Sequence, residues 1–247
     1  MKSHIIIGNF GNHSLALMQA LIERSVEDLH FVYVETGWAD TSWPERILAC
    51  SDYASKQGVT VHLLKTKTTF SEMIRDRQQF PSPKFQWCAS FLKGLTILDF
   101  LDKQDPGCEA MIISGKRQQD SRRYLNLTEF DHNNELYQGR TLWYPLWQLT
   151  DSELVGLITR TGFPVLSHQS LECHPCIHAS EKELNQLSDH TRTRLEVLEQ
   201  QINETMYHKP IRSFYSANNI FKSIAEEKKI NLQQFEHGCG APWGCGE

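Results

Sequence analysis

No stretch of this 247-residue chain is apolar for long enough to cross a bilayer, no sequence period repeats, and no low-complexity linker divides it. The run Ile5, Ile6, Ile7 near the start is too short for a signal peptide, so the expectation is a cytoplasmic protein with no membrane partner. A strong excess of one charge is missing as well. The formal net charge of -5 argues against a broad basic face that coats nucleic acid, although a local patch is compatible with it. Between 177 and 230 acidic and basic residues are in near balance, as on a solvated helical surface. Cysteines are few, seven in all, and odd in number. In a reducing compartment they are not expected to pair as disulfides, so those that cluster are read as metal ligands or reactive thiols.

What the chain does have is one core's worth of apolar residues, 40% of the total, in two kinds of pattern. Short apolar runs at 4–8, 30–34, 60–64 and 110–114 read as strands, and amphipathic stretches at 14–23, 44–56 and 91–103 read as the helices between them. That order predicts an α/β fold with a doubly wound, mostly parallel sheet. An aromatic, strand-like stretch follows at 136–149, and Thr150-Asp-Ser-Glu153 caps a helix to about Thr161, ended by Gly162 and Pro164. Beyond Cys176 the spacing of Leu195, Leu198 and Ile202 is helical. The expected division is therefore a nucleotide-binding α/β domain at 1–165 and a helical extension at 166–247 that carries Cys-x-x-Cys and a Cys-rich tail.

Ligands of such sheets bind beyond the carboxyl ends of the strands. The first of these loops is Gly8-Asn-Phe-Gly-Asn-His-Ser14, followed by a helix whose first amides and positive dipole end face it. That is an anion site in outline, with Gly11 allowing close approach and Ser14 offering a hydroxyl. An ordinary strand-to-helix turn would account for the same residues. Asn9, Phe10, Gly11, Asn12, His13 and Ser14 stand where adenine nucleotide alpha hydrolases have Ser-Gly-Gly-x-Asp-Ser. The loop resembles that pyrophosphate loop, and Phe10-Gly11 is similar to its Ser-Phe-Gly variant in phosphoadenosine-phosphosulfate (PAPS) reductases. Glu35-Thr36-Gly37, then Trp43-Pro-Glu45, is similar to the family's Asp-Thr-Gly and Phe-Pro-Glu, where the chain meets the nucleoside. Gly115-Lys-Arg117-Gln-Gln-Asp120-Ser121-Arg-Arg123 resembles Gly-x-Arg-x-x-Glu-Ser with a trailing arginine. Arg117 there would grip phosphate or sulfate oxygens in a bidentate manner, oriented by Asp120 and Ser121.

Cys173-His-Pro-Cys176 has the two-residue spacing that lets two thiolates face one metal centre. Gln86-Trp-Cys88, leading through Lys93 into a helix, resembles the Trp-Cys-x-x-x-x-Lys stretch of sulfur-transferring relatives. Cys239 and Cys245 lie in the tail, and Cys239 is the expected fourth ligand beside Cys88, Cys173 and Cys176. Spacing alone leaves zinc and a [4Fe-4S] cluster equally open, and the resemblance favours iron and sulfur. His174 and His178 are weaker candidates, whereas Cys50 and Cys108 read as packing residues.

The resemblance to the PAPS-reductase-like group runs from Ile5 to about Leu187. It implies an adenine nucleotide, ATP or a sulfonucleotide, together with a sulfur donor or thiol reductant and a tRNA or DNA acceptor; a homodimer is a further expectation. The first functional reading is sulfur transfer to a nucleobase or nucleotide, with phosphates on Arg117 and the first loop and a thiol such as Cys245 carrying persulfide. The alternatives are a sulfonucleotide reductase that releases sulfite, and a non-catalytic nucleotide-binding module with structural zinc.

Overall fold

In the computed structural model, which describes residues 2–214 and 243–244, six strands form one sheet in the order β3-β2-β1-β4-β6-β5. These are β1 His4–Ile7, β2 Leu29–Glu35, β3 Thr60–Lys65, β4 Met111–Ile113, β5 Phe130–Asp131 and β6 Thr141–Trp143. All pair in parallel except β5, which runs antiparallel to β6 at the edge. The fold is α/β with a doubly wound, mostly parallel sheet, as the alternation of runs predicts. Only three residues of the aromatic stretch at 136–149 are strand, because Gln138 and Gly139 turn the chain through left-handed φ just before it.

Burial on both faces explains why the strands are so uniformly apolar. Ile6, Phe31, Tyr33 and Ile113 point to one face, where α1 (Asn12–Glu23), α2 (Trp43–Lys56) and α5 (Asp151–Thr161) pack. Ile5, Ile7, Val32, Val34 and Ile112 point to the other, against α4 (Leu95–Gln104). A third apolar cluster joins Trp38, Phe70, Ile74, Trp87 and Leu92 to α6 (Glu181–Asn185) and α7 (Asp189–Ile202), so the helical region after Cys176 shares a core with the sheet's carboxyl-end loops.

Two helical elements differ from expectation. α3, Phe70–Arg77, is not among the predicted helices, yet Thr69 and Glu72 cap it reciprocally. The stretch at 91–103 starts earlier, as a wide π-type segment Cys88–Gly94 that runs into α4. α5 begins at the expected Thr150, whose hydroxyl accepts from the Glu153 amide, and ends at Gly162 in the left-handed region. Thr150→Ala is expected to cost about 1 kcal/mol in urea denaturation with unchanged helix content, since it removes a cap and nothing from the core. No helix among the described residues is long and apolar enough to cross a membrane.

Candidate functional site

Strand order reverses at β1, which has β2 on one side and β4 on the other. The crevice at that switch point is framed by the loops 8–14 and 114–123, and the two touch. A Cβ on Gly115 would stand 3.2 Å from the His13 Cβ and carbonyl oxygen, so glycine is what lets the loops meet. His13 Nε2 lies 3.1 Å from Asp120 Oδ1. Burial pushes the Asp120 carboxyl up, but His13 and Arg117 together hold it below the usual carboxylate range.

The first loop is tightly built. The Asn9 side chain bridges it, accepting from the Gly11 amide at 2.7 Å and the Ser14 hydroxyl at 3.1 Å, while Ser14 Oγ accepts from the Asn9 amide. No side chain caps α1, whose N-cap is Gly11, so its opening amides retain the character of an anion site. Phe10 takes φ of 60°, and its ring leaves the loop to stack on Phe31 at 4.2 Å and Tyr33 at 5.9 Å. Its carbonyl accepts from Arg46 Nε at 2.8 Å. Phe10 therefore offers the crevice backbone only, and Asn12 is turned to Leu166, whose amide and carbonyl it pairs.

Arg117 is almost fully buried and engaged. Its guanidinium donates to Asp120 Oδ1 at 2.7 Å, Asp151 Oδ1 at 2.9 Å and the Leu149 carbonyl at 3.2 Å. Ser121 caps the turn that follows, and Arg123 is exposed. Of the nucleoside string, Glu35 faces solvent beside Lys65, Gly37 takes φ of 72° where a Cβ would meet Thr69 at 2.9 Å, and Thr36 turns inward.

Thr36 lines a pocket that it shares with three of the four expected ligands. Cys88, Cys173 and Cys176 line one partly open pocket with Thr36, Lys93 and Glu172. Cys173 and Cys176 also border an adjoining groove of about 310 Å³ with Asp40, His168 and His174. Thiolates at such a place suit iron-sulfur or zinc by softness. Among the described residues, no three His, Cys, Asp or Glu side chains converge closely enough to hold an ion by themselves. Cys239 and Cys245 lie outside the described residues. Cys50, on the inner face of α2, is packed in the core, where burial pushes its thiol up to about 11.

Three functional features escaped sequence reasoning. Glu172 receives Lys93 Nζ at 2.7 and 2.6 Å on its two oxygens, both side chains are nearly fully buried, and Asn9 Nδ2 reaches Glu172 at 3.4 Å and Ser170 at 2.9 Å. The ion pair thus joins the thiol cavity to the first loop. Lys93 stands in the Trp-Cys-x-x-x-x-Lys stretch, and the signal for its partner is an acid placed directly before Cys173. Second, Thr36 Oγ1 and the Tyr33 hydroxyl are buried without a hydrogen-bond partner among the described residues, and burial, with Glu172 nearby, raises the Tyr33 pKa. Third, the chain returns at Trp243-Gly244, whose carbonyl accepts from Asn9 Nδ2 at 3.1 Å while the indole fills the notch at Gly94.

A ladder of rings runs from the Cys-x-x-Cys loop to the surface. Arg194 lies over Trp38 at 4.0 Å, Trp38 meets Phe70 at 4.7 Å, Phe70 stacks on Trp87 at 5.7 Å, and Arg77 sits between Trp87 and Phe91 at 5.3 and 4.8 Å. Arg194 also donates to the His174 carbonyl at 2.7 Å, and Trp38 Nε1 to the Pro175 carbonyl at 3.0 Å, so the ladder's inner end fixes the loop between the two cysteines.

No protein-family model matches the chain, and no curated protein does. Solved structures do. An NMN synthetase from Francisella tularensis is similar over 94% of this chain and 87% of its own, at 10% identity and a TM-score of 0.50. A PAPS reductase from Candida auris, in a phosphate complex, is similar over 67% of this chain and 75% of its own, at 15% identity and a TM-score of 0.47. A predicted subunit of tRNA methyltransferase from Methanocaldococcus jannaschii is similar over 85% and 94%, at 12% identity and a TM-score of 0.43. At such identities the likeness is one of fold alone.

Proposed function

We propose that this chain is an adenine-nucleotide-using sulfur transferase acting on a nucleobase or nucleotide, with a [4Fe-4S] cluster held by Cys88, Cys173, Cys176 and Cys239. The observation that supports the reading is that Cys88 and the Cys173–Cys176 pair line one pocket, tied by Glu172 and Asn9 to the loop at the switch point. A cluster, when bound, supplies a centre at which sulfur is held and polarised. The remaining roles fall to the chain itself. Amides at the start of α1 take phosphate oxygens, and Arg117 joins them by exchanging Asp151, the more exposed of its two carboxylate partners. Thr36 donates its hydroxyl to the occupant of the pocket, and Cys245 carries the transferred sulfur as a persulfide, its outer sulfur taken from a persulfide donor whose thiolate is the leaving group. A sulfonucleotide reductase is the second reading, favoured by a first loop that lacks an acidic residue and is bridged by Asn9.

Purification without oxygen, followed by iron and sulfide analysis, is the test. The expected product absorbs broadly in the visible and contains iron and acid-labile sulfide. Cys173→Ala and Cys176→Ala are expected to lose the iron, and Cys50→Ala to keep it. A colourless protein with stoichiometric zinc, or full iron in Cys173→Ala, overturns the assignment. Sulfite release from adenylylsulfate with thioredoxin would replace transfer by reduction.

A further inference from the structure

We infer that the rim formed by Arg77, Lys84, Phe85, Phe91 and Arg123 is a docking surface for single-stranded nucleic acid, which presents one base toward the thiol-lined groove. The inference deepens the sulfur-transfer reading by naming the acceptor's class and where it lies. Phe85 and Phe91 are large apolar side chains left exposed, at 54% and 41%. Phe91 is the last ring of the ladder, with Arg77 4.8 Å from its centroid on one side. A partly exposed ring with one face held by a guanidinium is a stacking platform, and cations beside such platforms track the phosphate backbone.

The charge around the rings agrees. Arg77 and Lys84 are exposed, and between 75 and 95 the acid is Asp76 alone. Arg123 enters from the loop beyond β4, near enough to His178 to act on it, and the His178 ring lies 2.9 Å from Gln86 Nε2, next to Phe85. One helical segment also couples the surface to the site. In Cys88–Gly94 the residues Cys88, Ala89, Leu92 and Lys93 line the cavity, whereas Ser90 and Phe91 face solvent. The platform is therefore about one helix diameter from the thiols, roughly 10 Å. The neighbouring groove, at about 310 Å³, falls within the range of small-molecule sites.

Fluorescence anisotropy on the full chain, with a labelled 12-nucleotide single strand and its duplex across a salt series, tests the inference. The single strand should bind the more tightly. Phe85→Ala and Phe91→Ala should each weaken it about tenfold while leaving ATP binding unchanged, and Arg77→Gln should reduce the log–log salt slope by about 0.7. Equal affinity for duplex and single strand, or no loss in either phenylalanine variant, overturns it. So does transfer of the Phe85→Ala and Phe91→Ala effect to anionic vesicles or to self-association in sedimentation. Failure of the unmodified chain to bind ATP would instead strike the sulfur-transfer reading, leaving the oligonucleotide result to judge the surface on its own.

Discussion

Glu172→Gln is expected to cost about 3–5 kcal/mol of stability, the range for removing one partner of a buried ion pair. The Lys93 and Glu172 side chains are 4% and 2% exposed, and the ammonium lies 2.6 Å from the nearer carboxylate oxygen. Glutamine keeps the shape and loses the charge, so the ammonium stays buried without that carboxylate. The pair itself need not be strongly stabilising, because desolvating both ions offsets most of their attraction. Combining Glu172→Gln with Lys93→Met should therefore recover much of the loss, and a double-mutant cycle in urea should show strong coupling. A single-variant cost below about 0.5 kcal/mol, typical of a surface change, would show that the pair is not buried in solution. The same variant should loosen the first loop, since Asn9 reaches Glu172.

Substitution at Phe10 is expected to reverse an ordinary ranking. Its ring is fully buried against Phe31 and Tyr33, so truncation to alanine should cost about 3–5 kcal/mol. Glycine removes still more of the side chain and would normally be worse. At φ of 60°, however, any residue with a Cβ carries left-handed strain of roughly 1–2 kcal/mol, which glycine does not. Phe10→Gly should thus be no less stable than Phe10→Ala, as read from denaturation midpoints. Alanine clearly ahead of glycine would mean that the loop relaxes out of the left-handed region.

The fold was legible because its signals are local. Parallel strands buried on both faces read as plain apolar runs, and Thr150-x-x-Glu153 and Gly162 bracket α5 as written. α3 carries the same start signal, Thr69-x-x-Glu72, but its brevity and the exposed residues that dominate it leave little apolar period to find. In the site, Cys88 lines the same pocket as Cys173 and Cys176, which motif order groups together. The charged partners around the site carry no such local signal. Glu172 pairs with a lysine 79 positions away, and Arg117, which reads as a phosphate grip, is held by Asp151 from another helix. Phe10 looks like a loop residue from its neighbours, and only the three-dimensional path of β2 beneath it makes it a core residue.

The one-way run of the strands also decides where this molecule can be cut and rejoined. Loops 8–14 and 114–123 leave from the carboxyl edge, whereas the turn before β3 lies on the opposite edge. There Gly58 takes φ of 82° with nothing within 4 Å of where a side chain would sit. A reporter domain inserted at that turn, or new termini opened in it, would be separated from the first loop and the thiols by the length of the sheet.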